Sequence, residues 1–196
     1  MESSQLKSEI TIIKEMIEKT KRDTAESGYF FIMIGIMCII NLVAVALMEI
    51  YKQNHLVIPT LIMVTLISAA LGIIIKSREN RTVKVQTYAK SIFLNTWLAC
   101  SIPILLIAFL FAQTGVISNS LVGTLAALFI GVGVFTSGVV FELNYLIVCG
   151  IFWWVGACVM AYIDGPLKIF VMAACTLFGL LVPGFILNKK YRNRSK

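Results

Sequence analysis

The stretch that decides the fold is LVGTLAALFIGVGVFTSGVVF-ELN-YLIVCGIFWWVGACVMAYI, residues 121–163. Its two apolar runs, residues 121–141 and 145–163, are each about as long as the roughly 20 helical residues that cross the hydrocarbon core of a bilayer. The connection between them is Glu142-Leu-Asn-Tyr145. Because this connection is so short, the stretch predicts a tight antiparallel hairpin of two membrane-spanning helices.

Four further apolar runs of similar length complete a six-span pattern. They cover residues 29–49, 56–75, 91–112 and 168–187. No small-residue cleavage site follows the first run, so we expect it to remain as a span rather than to be removed as a signal peptide. The sequence therefore predicts an all-α, polytopic membrane protein with six transmembrane helices.

The Lys and Arg residues are unevenly distributed between the two sides of this arrangement. Fifteen of the seventeen fall on one side, and Lys52 and Lys168 fall on the other. Short loops rich in Lys and Arg stay cytoplasmic, so the pattern predicts a bacterial inner-membrane protein with both termini in the cytoplasm. The fifteen residues are Lys7, Lys14, Lys19, Lys21, Arg22, Lys76, Arg78, Arg81, Lys84, Lys90, Lys189, Lys190, Arg192, Arg194 and Lys196.

The composition excludes several classes of protein. With 59% hydrophobic and 14% charged residues, the chain is not an ordinary soluble domain. Its net charge of +7 is explained by topology signals and contacts with lipid head groups. Membrane lipid is therefore a predicted partner, and nucleic acid is not. The five cysteines lie inside spans without a CxxC spacing, and His55 is the single histidine. No disulfide framework, metal site or other cofactor is predicted.

Residues 1–27 form a separate cytoplasmic segment in this interpretation, followed by a transmembrane bundle of residues 28–188 and a basic tail of residues 189–196. Apolar residues in the first segment recur at spacings of three and four, which predicts an amphipathic helix. Acidic residues on its other face roughly balance the lysines, unlike a helix that lies mainly on anionic lipid. We expect this helix to dock on a protein partner, on a second copy of the chain, or on the bundle itself. The docking stripe consists of Leu6, Ile10, Ile13 and Ile17.

The fourth span, residues 121–141, carries small residues at four-residue spacing. Small residues let two membrane helices approach closely. The pattern fits a seam between two copies of the chain or a contact with another span of the same chain. The second explanation is favoured because five other spans are available. The candidate packing residues are Gly123, Ala127, Gly131, Gly133, Ser137 and Gly138.

The middle third of every predicted span is free of Asp, Glu, Lys, Arg and His. Proton relays, ion-coupled carriers and voltage sensors need such groups within the membrane. Hydrolytic enzymes need paired carboxylates or a nucleophile with a base. We therefore predict a protein that is not an enzyme. The polar positions that could line a site for a neutral ligand are Asn41, Thr65, Ser68, Ser101 and Pro103.

Pro103 and Pro183 lie inside the third and the sixth predicted spans. A proline within a helix frees the carbonyl four residues earlier, here that of Ala99 or Gly179, and usually kinks the helix. Discontinuous helices expose such carbonyls at transporter binding sites. The two positions also fit an inverted repeat of three-span halves, although no residue-level repeat relates the halves.

Three stretches carry a resemblance to known proteins: IEKTKRDTAESGYFF (residues 17–31), GVGVFTSG (residues 131–138) and VPGFIL (residues 182–187). They are similar to the opening and the later segments of a group of small, uncharacterised bacterial integral-membrane proteins. The resemblance implies a six-span inner-membrane protein and implies no activity. In size and number of spans alone, the chain also resembles the substrate-binding subunits of vitamin-uptake transporters.

Two functions are compatible with these observations. The first is a non-enzymatic inner-membrane protein that acts through assembly with itself or with a membrane or cytoplasmic partner. The alternative is a transporter or binding subunit for a small neutral or apolar molecule, which would need no buried charge. The contrast between a well-patterned cytoplasmic helix and a membrane core without reactive groups favours the first.

Glu142 is the one carboxylate at the predicted cytoplasmic end of the fourth span. A negative charge at the C-terminus of a helix is opposed by the helix dipole. We therefore expect Glu142 to form an ion pair with a basic residue nearby. The candidate cations are Arg78, Arg81, Lys84, Lys189 and Lys190.

Overall fold

The described part of the chain is helical and contains no strand. The computed structural model describes residues 28–47, 51, 59, 63, 66–67, 88–111, 114–165 and 167–192. Five helical rods in it are long and apolar enough to cross a membrane. They are α1 (Gly28–Leu47), α2 (Tyr88–Leu106, continued by a π-helical turn, Ile107–Phe111), α3 (Asn119–Val140), α4 (Asn144–Tyr162), and a fifth rod composed of α5 (Leu167–Thr176), a π-helical turn (Leu177–Leu181) and α6 (Val182–Arg192).

These five rods coincide with five of the six predicted spans. The second predicted span, residues 56–75, lies outside the described residues apart from four helical positions. The prediction of an all-α protein with several membrane-length helices is confirmed, whereas the sixth span stays a prediction. Residues 1–27, which carry the predicted amphipathic helix, and residues 193–196 of the tail also lie outside the described part.

The turn between α3 and α4 is a Schellman motif. The N–H of Leu143 donates to the Gly138 carbonyl at 2.8 Å. The N–H of Glu142 donates to the Val139 carbonyl at 3.2 Å. This motif needs left-handed backbone at the second residue after the helix, and Glu142 has a φ of 54° there. Glycine usually occupies that position because it has no Cβ, so Glu142 is strained.

A seam of glycines joins α3 to α4. A Cβ built on Gly138 would lie 2.7 Å from the backbone N of Ile147. A Cβ built on Gly150 would lie 2.8 Å from Cα of Phe135. Both distances are shorter than real Cβ contacts, so the two backbones are closer than larger residues would allow. The pairing of position 138 with 147, and of 135 with 150, shows that the helices are antiparallel.

An aromatic cluster marks one end of the bundle and joins three helices. The ring centroids of Phe30 and Phe93 are 5.0 Å apart, and those of Phe93 and Phe141 are 5.4 Å apart. Phe31 and Trp97 complete the cluster, with centroids 5.9 Å apart. The cluster brings the beginnings of α1 and α2 to the end of α3.

The opposite end of the bundle holds the other helix ends. Ile107 and Ala108, after α2, pack with Val122 near the beginning of α3. Lys168 near the beginning of α5 donates from Nζ to the Ser120 carbonyl at 3.0 Å. The four rods from α2 to the fifth therefore alternate in direction, and α1 begins at the same end of the bundle as α2.

α1 and α6 contact each other through glycines and form what we call the α1–α6 unit. A Cβ built on Gly28 would lie 3.2 Å from the Gly184 carbonyl oxygen. A Cβ built on Gly184 would lie 3.0 Å from the backbone N of Ile32. One turn further along, a Cβ on Gly35 would lie 2.7 Å from Cδ2 of Leu181. Because these contacts involve backbone atoms, the two helices are held closely together.

The interior of the described bundle is filled by large apolar side chains. Trp153 occupies its centre, between α3 and the π-helical turn that follows α5. Its Cβ is 3.2 Å from the point where a Cβ on Gly131 would lie, and its Nε1 would collide with a Cβ on Gly179. The largest fully buried apolar side chains are Trp153, Phe31, Leu146, Met160 and Leu180.

Candidate functional site at a π-helical turn

The π-helical turn Leu177–Leu181 lies just before Pro183. In this turn the N–H of Val182 donates to the carbonyl of Leu177, five residues earlier, instead of to Phe178. Pro183 has no N–H to donate. The Phe178 carbonyl therefore lacks both possible donors, because the Val182 N–H is directed to Leu177 and its π-helical donor would be Pro183.

The Phe178 carbonyl bonds to α4 instead. The thiol of Cys149 donates to it, with Sγ 3.6 Å from the oxygen. An α-helical register would make Gly179 the carbonyl freed by Pro183. The π-helical register frees the neighbouring Phe178 carbonyl as well, and this is the one that accepts a bond from another helix. Because a thiol is a weak donor, the bond holds the turn only weakly.

Three side chains with polar atoms lie on the face of α4 that contacts this turn. Tyr145, Cys149 and Trp153 are spaced four residues apart and so share a face. The Tyr145 hydroxyl and Trp153 Nε1 are buried and have no hydrogen-bond partner in the described part of the chain. A buried polar atom without a partner costs about 1–3 kcal/mol. A further interaction at either atom would therefore stabilise the protein appreciably.

Asn41 lies on the face of α1 that meets the core. Phe31, Ile34 and Cys38 belong to the core cluster or pack against it. Asn41 continues their spacing of three, four and three residues along the same face. Its Oδ1 is buried and accepts no hydrogen bond from the described residues. Asn41 is therefore a polar group with spare bonding capacity in an apolar setting.

Ser101 and Pro103 lie on α2, and Ser101 is exposed. The Ser101 hydroxyl donates to the Trp97 carbonyl at 2.7 Å, so it is satisfied within its own helix. Pro103 lies inside α2, and the π-helical turn that continues this helix begins four residues later, at Ile107. No hydrogen bond joins Asn41 to Ser101 among the described residues.

Several predicted site residues lie outside the described part of the chain. These include two of the five candidate lining residues, the whole docking stripe and three candidate cations. They are Thr65, Ser68, Leu6, Ile10, Ile13, Ile17, Arg78, Arg81 and Lys84.

The small residues of α3 contact neighbouring helices of the same chain, with one exception. Gly131 and Gly138 meet α4, and a Cβ on Gly133 would lie 3.4 Å from the Trp97 ring on α2. Ala127 is fully buried in the core cluster. Gly123 is exposed, and nothing in the described residues lies within 4 Å of a Cβ built on it.

Ser137 joins α2 to α3 in the interior. Trp97 Nε1 donates to Ser137 Oγ at 3.2 Å, and Ser137 Oγ donates to the Gly133 carbonyl at 2.6 Å. Trp154 Nε1 donates to the Leu128 carbonyl at 3.2 Å and joins α4 to α3. Sequence reasoning missed both indole bonds because donor and acceptor belong to different helices and follow no periodicity.

Lys168 forms a polar link at the opposite end that sequence reasoning also missed. Its Nζ lies 3.3 Å from Asp164 Oδ1 and donates to Ser120 Oγ at 3.2 Å. The spacing of four residues between Asp164 and Lys168 was the signal that could have identified the pair. Asp164 is exposed, so the ion pair contributes at most about 1 kcal/mol. The link to Ser120 ties α5 to α3.

Glu142 is exposed at the turn between α3 and α4. No ion pair involves it among the described residues, which include the side chain of one candidate cation, the exposed Lys189. The side chains of the other four candidate cations lie outside that part. An ion pair with one of those four stays a prediction.

Glu142→Gly should raise the free energy of unfolding by about 1 kcal/mol, because a left-handed residue with a Cβ costs about 1–2 kcal/mol. The gain is limited by the larger conformational entropy that glycine loses on folding. Thermal unfolding in mild detergent measures the effect. Glu142→Gln is the matched control, since it keeps the Cβ and removes the charge. A lower melting temperature for the Gly variant than for the Gln variant would contradict the claim that the backbone of Glu142 is strained.

The side chains assembled at the π-helical turn are a phenol, a thiol and an indole, each of which can donate a hydrogen bond. No cluster of three or more His, Cys, Asp or Glu side chains that could hold a metal ion occurs among the described residues. No protein-family model, no curated protein and no solved structure matches this chain.

Proposed function

We propose that this chain is a non-enzymatic protein of the bacterial inner membrane that acts through assembly with itself or with a membrane or cytoplasmic partner. In this proposal both termini are cytoplasmic, and the helix of residues 1–27 is the docking element. The observation that supports it is the filled interior. An indole, Trp153, occupies the centre of the described bundle, and backbone contacts surround it. The resemblance to small six-span bacterial membrane proteins agrees with this proposal.

The packing argues for assembly over transport. Transporters bind their substrates in cavities lined by a few convergent polar groups. Here the glycines that face other helices are covered by large side chains or by backbone, such as Gly131 by Trp154 and Gly150 by Phe135. The helix interiors between Ser91 and Tyr162 that the structure describes carry no Asp, Glu, Lys, Arg or His except Glu142 in the turn.

The position of the chain ends supports docking at one end of the bundle. A Cβ on Gly28 would lie 3.0 Å from the Leu187 Cβ, so the beginning of α1 is beside the last turns of α6. Residues 1–27 precede α1, and the basic tail follows α6. A partner bound to the N-terminal segment would therefore lie near the tail, where basic residues add an electrostatic attraction for an acidic partner or anionic lipid.

Replacing Ile10, Ile13 and Ile17 together with Ser should abolish capture of the partner or lower the oligomeric state, because it removes the apolar stripe that would be buried on docking. Native mass spectrometry of the full chain, released from lipid nanodiscs, measures both. The control is Glu15→Gln with Lys19→Gln, which alters the opposite face and conserves net charge. Equal oligomeric state and partner occupancy in the parent and the Ser variant would exclude the docking role.

A second function is favoured by one observation, the buried Oδ1 of Asn41, which has no partner among the described residues. This atom could accept a hydrogen bond from a small neutral ligand that reaches the core face of α1. We expect such a ligand, found in a thermal-shift screen of neutral metabolites and lipids, to lose its effect in Asn41→Leu. Asn95→Leu on the exposed face of α2 is the control. A hit that stabilises Asn41→Leu as much as the parent would rule out this site.

A further inference from the structure

The π-helical turn Leu177–Leu181 divides the fifth rod into α5 and α6, which both contact α4, whereas α6 also contacts α1. After the turn, α6 contacts α1 through Gly184, forming the α1–α6 unit, and it also contacts α4. Before the turn, Cys175 of α5 contacts α4 closely, because a Cβ built on Gly156 of α4 would collide with the Cys175 Sγ. A bend at the turn would change the position of α6 relative to α5.

The turn is held in its observed position by a weak bond. Phe178 is freed from the helix ladder by the π-helical register and by Pro183, and its carbonyl accepts from the Cys149 thiol. A sulfur donor at 3.6 Å gives a much weaker bond than an N–H donor gives. Little energy is therefore needed to release it.

A stronger donor lies beside the same turn and has no acceptor among the described residues. Trp153 Nε1 is fully buried and close enough to Gly179 to exclude a Cβ there. The Gly179 carbonyl has lost its α-helical donor because residue 183 is proline. The indole donor therefore lies beside the residue whose carbonyl has lost its α-helical donor.

We propose that the π-helical turn is a two-position hinge. In the observed position the Cys149 thiol holds the Phe178 carbonyl, and in the second position Trp153 Nε1–H donates to the Gly179 carbonyl. The exchange replaces a weak S–H bond with an N–H bond and satisfies a buried donor. Its cost is the movement of the turn against α1, which Leu181 contacts at Gly35. Glycine at 179 is what lets the backbone pass the indole.

The hinge would move the α1–α6 unit relative to α5. Because the contacts between α1 and α6 involve backbone atoms, the two helices move together. A change at the turn therefore alters the position of α1 relative to α5. This inference rests on the turn alone and holds whether or not the N-terminal segment docks on a partner.

The test uses the indole N–H signals of the chain's three tryptophans. The full chain, labelled with ¹⁵N-tryptophan in lipid nanodiscs, should give one signal each for Trp97, Trp153 and Trp154. Trp97 and Trp154 donate to fixed acceptors, so they serve as internal controls. Trp153→Phe assigns the remaining signal. We expect exchange on the microsecond–millisecond timescale, seen as relaxation dispersion, at Trp153 and not at the controls.

Two substitutions at the thiol should move the equilibrium in opposite directions. Cys149→Ala removes the bond to Phe178 and should raise the population of the second position at least twofold. Cys149→Ser supplies a stronger donor and should lower that population by a similar factor. Unchanged Trp97 and Trp154 signals report that each variant is folded. Pro183→Ala, which returns an N–H to the helix, should suppress the dispersion. Absence of dispersion at Trp153 in the parent, or dispersion of equal size at all three indoles, would overturn the hinge.

Discussion

Gly150→Ala should separate α3 from α4 and lower the free energy of unfolding by about 3 kcal/mol, at the upper end of the effects of overpacking a core. The added Cβ would lie 2.6 Å from Cβ, 2.8 Å from Cα and 2.8 Å from the backbone N of Phe135. Two of these three atoms belong to the backbone of α3, so no change of rotamer relieves the clash. The helices would have to move apart, and the short turn at Glu142 restricts how they can do so.

Gly123→Ala is the matched control on α3. Nothing among the described residues lies within 4 Å of a Cβ built on Gly123, which is an exposed position in a helix. There the change should be neutral or stabilising by up to about 1 kcal/mol, because alanine is the better helix former. Thermal unfolding of both variants in the same detergent compares them. Similar melting temperatures for the two would show that α3 and α4 do not pack as closely as the structure has them.

The sequence alone predicts the features that the bilayer imposes. Membrane-length apolar runs must be helices because lipid offers no hydrogen-bond partners to the backbone. The three-residue connection that includes Glu142 leaves α3 and α4 no arrangement but a hairpin. The alternating directions of the four rods from α2 to the fifth follow from the order of the same runs. These predictions depend on local composition and length, which can be read without knowing which residues meet.

Pairings between helices are what the sequence does not reveal. The small residues of α3 predict a close contact but not its partner, because Gly133 and Gly138 look alike in sequence and meet α2 and α4 respectively. The proline rule indicates the Gly179 carbonyl, whereas the bond from α4 goes to Phe178, because the register of the turn depends on packing around it. The left-handed backbone of Glu142 is missed for a similar reason, since residue preference indicates glycine there.

Trp153→Ala should be the most destabilising truncation in the described bundle, at about 3–5 kcal/mol. Trp153 is fully buried and contacts both α3 at Gly131 and the π-helical turn at Gly179. Unfolding in a membrane leaves helices in lipid, so the loss comes mainly from packing contacts and the cavity that remains. Phe152→Ala is the control, because the neighbouring Phe152 is exposed and its truncation leaves no cavity. Equal losses of unfolding free energy for the Trp153→Ala and Phe152→Ala variants would contradict the central position of Trp153.

The same residue allows a test of contact by compensation. Gly179→Ala alone should be destabilising by about 1–3 kcal/mol, because its Cβ would collide with Trp153 Nε1. In the Trp153→Ala background the collision is gone and the added methyl group occupies part of the cavity. The double variant should then be no less stable than Trp153→Ala, a coupling between two residues in contact. Additive losses in a double-mutant cycle would mean that the indole does not lie over Gly179. A loss in the double variant that is smaller than the sum of the two single losses would show that the Trp153 indole contacts the turn at Gly179, as the hinge requires.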